Sequence, residues 1–149
     1  MLYELQKSIM ELYNSEYGAT LRGLCQGLFE DEAPASISLG TQKGQELVNS
    51  VKPFMVFSIV TTGLDQNFCA NLYEPLVQFT IYGDADNLSS IDLLNIQKEF
   101  LTLYNAVLMD MDNDHTMVSS KVVEQRKFKD TDKMWNVIIE IQYIVQKNR

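Results

Sequence analysis

Apolar residues open the chain at intervals of three and four: Leu2, Leu5, Ile9 and Leu12 make one face of a helix predicted over residues 2–13. Residues 16–27 are mixed, because Gly18, Gly23 and Gly27 interrupt Leu21, Leu24 and Leu28, and a short strand is expected at 27–30. Ala33-Pro34 breaks regular structure. The polar stretch 35–50, with Gly40 and Gly44, reads as a long loop with a weak helix at 44–50. "FMVFSIVT" (54–61) is a nearly unbroken apolar run of β-branched and aromatic residues entered through Pro53, the mark of a strand central in a sheet. After the turn formers Gly63, Asp65, Asn67 and Asn71, "PLVQFTIYG" alternates: Val77, Phe79 and Ile81 point one way, Gln78, Thr80 and Tyr82 the other. The two strands form a hairpin with a long connection.

The second strand ends at Gly83, and Asp84, Asp86 and Asn87 supply a turn in which Asn87 or Asp86 caps a helix running to about residue 109. Ile91, Leu94, Leu101, Tyr104 and Leu108, extended by Phe100 and Val107, are the face expected to lie on the sheet over about six turns. A polar break at 110–115 leads to a charged strand at 117–128, expected at an edge or projecting beyond the core. In "WNVIIEIQYIV", Trp135, Val137, Ile139, Ile141, Tyr143 and Val145 alternate with Asn136, Ile138, Glu140, Gln142 and Ile144. "KFKDTDKM" is the polar tip between these two strands. The order predicts one α+β domain over residues 1–149: a mainly antiparallel sheet of about four to five strands, with the N-terminal helix and one long helix on one face.

Composition agrees with a packed globular domain, since 46% of the 149 residues are apolar. No apolar run reaches the eighteen residues a membrane span needs. The amino terminus carries Glu4 and Glu11 and lacks the basic start and small-residue cleavage site of a signal peptide, so a cytoplasmic origin is expected. Cys25 and Cys69, with no CxxC or neighbouring histidine, read as two buried free thiols in a reducing compartment in preference to a bridge. Charge is divided along the chain: 16 acidic and 5 basic residues up to Asp114 give −11, whereas 4 acidic and 7 basic from His115 onward give +3. An acidic protein is a poor nucleic-acid binder. The asymmetry has two readings, an acidic face that meets the basic face of the next copy head to tail, as in a ring, or two solvated surfaces.

Candidate chemistry is sparse. "DMDNDH" spaces Asp110, Asp112 and Asp114 as in a calcium loop, but His115 and Lys121 stand where the EF-hand needs glycine and glutamate, which leaves a solvated acidic turn. His115 is the only histidine, and no GxSxG, GxGxxG or GxxxxGK[ST] accompanies it. Asp84 and Asp86 are better turn formers than paired catalytic carboxylates. No catalytic residue, cofactor or metal is therefore expected. The candidate interface residues are Asp65, Phe68, Leu72 and Tyr73 of the long connection, as core cover or protein-binding patch, and Arg126, Lys127, Lys129 and Lys133, as solvated tip or contact for an acidic neighbour.

"LFEDEAP" (28–34), "KPFMVFSIVTTG" (52–63), "YEPLVQFTIYGD" (73–84) and "WNVIIEIQYIV" together resemble the tail-terminator or tail-completion proteins of long-tailed bacteriophages and prophages. In that family a helix is followed by a "Y-x-x-x-A-P" segment, a "P-Y-x-x-[FY]" strand, an "x-x-[VI]-Q-F-x-[IL]-[FY]-[SD]" strand, a helix and a final strand pair. Residues 35–51 look like an insertion, and the turn before the final strands is unusually acidic. The resemblance implies a homo-oligomer, most often a hexameric ring, on the head-proximal end of the tail tube. Its partners would be the tail tube protein and the head-tail connector or neck protein, with DNA passing through without specific binding. Such a protein is part of the virion and assembles in the host cytoplasm, away from any membrane. The rival readings are a head-closure, neck or tail-tube-like protein, a small cytosolic enzyme, and an adaptor that takes a peptide on a sheet edge.

Overall fold

A computed structural model describes residues 2–30, 52–61, 72–129 and 134–148. The 35–51 insertion with its weak helix, Asp65, Phe68, Cys69, Lys133 and the hairpin tip at 130–133 lie outside the described residues. The first helix, α1 (Leu2–Asn14), buries Leu5 and Ile9 as the spacing predicts, but its last turn buries Tyr13 in place of Leu12, which is only partly covered, and Ser8 is buried among them. The mixed stretch that follows is helical: a 3-10 turn (Glu16–Gly18) and α2 (Ala19–Leu24), which sequence periodicity missed. Arg22 reaches back from α2 and donates to the carbonyls of Tyr13 and Ser15, satisfying acceptors that the end of α1 leaves free.

Among the described residues six strands form the sheet: β1 (Leu28–Glu30), β2 (Phe54–Thr61), β3 (Leu72–Tyr73), β4 (Leu76–Asp84), β5 (His115–Lys129) and β6 (Met134–Lys147). The sheet is mixed, since β1 runs parallel to β2, with Leu28 opposite Met55, while the other pairings are antiparallel. The strand beyond the expected five is β3, two residues opposite Gln146 and Val145. One side of β6 takes β4 along Met134–Gln142 and then β3, and β5 follows the length of its other side. Among the described residues β6 is thus interior and β5 is an edge. Alternation sorts the faces: Val77, Phe79 and Ile81 of β4 and Val137, Ile139, Ile141, Tyr143 and Val145 of β6 are all fully buried in one core.

The long helix differs from expectation in start, length and facing. Ser89, not Asn87 or Asp86, caps α3 (Ser90–Tyr104), through a capping box in which its hydroxyl accepts from the Asp92 amide at 3.2 Å and Asp92 accepts from the Ser89 amide at 3.0 Å. Asp84 instead closes the preceding turn, accepting from the Asp86 amide and the Asn87 side chain, each at 2.9 Å. The helix ends at Tyr104, and Ala106, at φ 56°, turns the chain away, so Leu108 lies beyond it. Leu93, Ile96, Phe100, Leu103 and Tyr104 are buried in the core, whereas Ile91 and Leu94 are exposed. The cap sets this rotation: Leu88 just before it and Leu93 four residues after it are both buried, the positions of a hydrophobic staple.

Aromatic rings join the two layers. Phe79 lies 5.9 Å from Phe57 across the sheet and 4.9 and 5.2 Å from Phe100 and Tyr104 of α3, between ring centroids. The Tyr104 hydroxyl donates to the Ile9 carbonyl at 2.8 Å, which ties α3 to α1. Nothing among the described residues hydrogen-bonds the equally buried hydroxyl of Tyr143, and burial pushes the pKa of both phenols up. The two tyrosines should therefore respond oppositely to loss of their oxygen. Tyr143→Phe removes an unsatisfied polar group and is expected to stabilise the fold by about 1 kcal/mol, while Tyr104→Phe breaks a satisfied bond and costs about 1 kcal/mol. Urea unfolding of both variants checks this, and equal losses would contradict it.

Candidate functional site

Strand β5 presents the most exposed described segment of the sheet, residues 123–129, along its outer edge. Bulges between Met117 and Ser119 and between Val122 and Glu124, together with Lys121, Glu124, Arg126, Lys127 and Lys129, make this a poor template for an added strand. The register places Gln125 and Lys127 on the face of Ile139 and Val137, beside α3. Gln97 accordingly bonds Gln125 at 2.6 Å, and Lys127 bonds the Ser90 hydroxyl at 2.7 Å. The ammonium groups of Lys127 and Lys129 lie 5.6 and 4.6 Å from the Trp135 ring centroid, and Trp135 donates to the Leu88 carbonyl at 3.0 Å. Charge reversal at these lysines thus acts on the hairpin itself before it acts on any neighbour. Arg126 and Phe128 point to the opposite face, where Arg126 pairs with Glu124 at 2.9 Å.

Leu72 and Tyr73 do not join this basic group. They are half-buried in β3 opposite the far end of β6, about 30 Å along the strand from Trp135 at the rise of an extended chain. The structure therefore brings Lys127 and Lys129 together and separates them from Leu72 and Tyr73.

The acidic turn is held by its own hydrogen bonds. His115 Nδ1 lies 2.7 Å from Asp112 Oδ1, the Asp114 amide donates to the same oxygen at 3.2 Å, and Ser8 donates to the Asp110 carbonyl at 2.9 Å. Desolvation raises the Asp112 pKa, but the bond and charge of His115 and the amides of Asp114 and His115 outweigh it, leaving the carboxyl below its usual value. Among the described residues no three His, Cys, Asp or Glu side chains converge as a metal cradle. Cys25 is a free thiol, and burial pushes its pKa up to about 12, so it stays protonated.

A groove that periodicity could not reveal lies at the other end of α3. Leu12 from α1, Tyr17 from the 3-10 turn, Leu103 from α3 and Val107 and Leu108 from the segment beyond enclose about 390 Å³. Tyr17 and Leu108 are 75% and 57% exposed, and the charged groups among the described lining residues are Glu99 and Asp110. No charge pattern or motif marks it, because its walls come from four separate parts of the sequence.

No protein-family model matches the sequence, and no curated protein does. Solved structures do share its fold. A chain of the virion of a native gene transfer agent (GTA) particle is 8% identical, with 93% of this chain and 91% of that chain aligned at a TM-score of 0.60. A second solved chain, whose description names no function, is 12% identical over 99% of this chain and 94% of that one, at a TM-score of 0.54. The likeness is one of fold. It runs through almost the whole length of each chain, so the helices and the six-stranded sheet are compared as one unit.

Proposed function

We propose that the chain is a structural subunit of a phage-like particle, of the tail-terminator or tail-completion kind, forming a ring at the head-proximal end of the tail tube. There it ends tube polymerisation and offers the head connector a surface. The observation that carries this reading is the near full-length fold likeness to a chain of a gene transfer agent virion. The residue resemblance in "YEPLVQFTIYGD" and the segments around it supports the finer assignment to the tail terminus. Surface chemistry supports it too, since an acidic groove at one end of α3 and a basic hairpin at the other suit head-to-tail contacts between like copies.

Deletion in a particle-producing strain tests the proposal. Electron micrographs should show tubes of uncontrolled length without heads, restored to normal length when the chain is supplied. Tubes of normal length that fail to join heads would move the chain to head closure, and normal particles would refute the structural role altogether.

A further inference from the structure

We propose that Lys127 and Lys129 of one copy meet Asp110 and Asp114 of the next, a head-to-tail contact between the two ends of β5. The acidic turn 110–114 precedes the first residue of that strand, His115, and the lysines lie among its last three residues. All four side chains are exposed. Among the described residues none of the four forms an ion pair, whereas Asp112 is taken by His115 and Arg126 by Glu124. The partners that Lys127 and Lys129 do have, the Ser90 hydroxyl and the Trp135 ring, are neutral. They fix where the ammonium groups stand, on the α3 side of the strand, and leave both charges uncompensated.

The opposite charges stand on one subunit but cannot meet within it. Fifteen residues of extended chain hold them about 45 Å apart, and the ladder with β6 keeps β5 from folding back. The helix gives the same separation: Lys127 is bonded to Ser90, the first residue of α3, whereas Asp110 lies past its last residue, Tyr104. A second copy supplies both signs, each without a charged partner of its own. The contact is heterologous, so repetition builds a ring or an open chain, and charges of this kind set orientation more than strength. This deepens the ring proposal by naming the groups through which copies meet, and it rests on that reading for closure of the ring.

Asp110 and Asp114 hold the turn through backbone groups: the Asp110 carbonyl accepts from Ser8, the Asp114 amide donates to Asp112, and the Asp114 carbonyl accepts from the Asn148 amide. Asp110→Lys with Asp114→Lys therefore keeps these bonds, and its thermal unfolding should match the wild-type chain. Sedimentation of the full chain at about 50 mM salt is expected to show self-association beyond dimers, weakened about 10-fold or more in this variant and in Lys127→Glu with Lys129→Glu. Each variant carries one sign at both ends. An equimolar mixture should therefore recover assembly by alternating the two, which damage to the hairpin alone would not produce. If charge reversal unfolds the hairpin, the aspartate variant decides alone. Its self-association at wild-type strength, or a mixture of folded variants no stronger than its components, would overturn the contact. So would assembly indifferent to about 500 mM salt, or a wild-type chain that stays monomeric at millimolar concentration. The tail-length phenotype of the deletion strain is read separately, so the contact can fail while the particle role stands.

Discussion

Phe79→Ala is expected to destabilise the domain by about 3–5 kcal/mol, enough to unfold much of the population if its stability is typical of a domain. Phe79 is fully buried at the middle of β4, between Phe57 on β2 and Ile139 on β6. Its ring also touches Phe100 and Tyr104 of α3, so one truncation strips contacts from both layers. The site cannot collapse easily. Two neighbours are fixed in sheet register, and Tyr104 is held in place by its bond to Ile9. Most of the cavity should therefore persist, which puts the loss in the upper range for aromatic truncation. Urea titration should show a much lower midpoint at an unchanged slope, and a loss below about 1 kcal/mol would mean that the layers are not joined through this ring.

Gly18→Ala should cost about 3 kcal/mol, and Gly23→Ala five residues later should gain about 0.5 kcal/mol. A Cβ on Gly18 would run into the Tyr13 carbonyl oxygen and stand 2.8 Å from the carbonyl carbon. That carbonyl is backbone at the end of α1, and Arg22 is already bound to it, so it cannot swing aside without releasing the α1–α2 corner. A Cβ on Gly23 meets nothing within 4 Å, and there alanine only removes conformational freedom from the unfolded chain. In a domain of this size the pair should melt roughly 10 °C apart. Equal melting temperatures would show that the corner between α1 and α2 is loosely packed.

Strand β2 was legible to the residue, because an apolar run of eight β-branched and aromatic residues behind a proline has few other solutions. The alternation of β4 and β6 matched their burial over most of each strand, the exceptions being Thr80 and Asn136, which are buried on the face expected to point outward, and Trp135, which is only partly covered. The long helix was the instructive failure. Its sequence, SIDLLNIQKEFLTLY, is apolar at Ile91, Leu93, Leu94, Ile96, Phe100, Leu101, Leu103 and Tyr104, so more than one face can be drawn through it. The signal that resolves the ambiguity is Ser89-x-x-Asp92, which fixes the start and hence the rotation, but Asp84, Asp86 and Asn87 offered a competing cap. The basic hairpin was visible as charge, although its attachment to Trp135 was not, since cross-strand register has no local signature. The apolar groove was invisible because Leu12, Tyr17 and Leu108 share no periodicity.

The central position of β6 also bears on when this protein can fold. It pairs with β3, β4 and β5, yet it is the last of these strands to leave the ribosome. Until then the flank of β4 that pairs with β6 stands open, so a nascent copy is sticky and structurally incomplete. A chain cut short within β6 therefore loses partners for three strands at once and is left without a finished sheet, however complete its helices are.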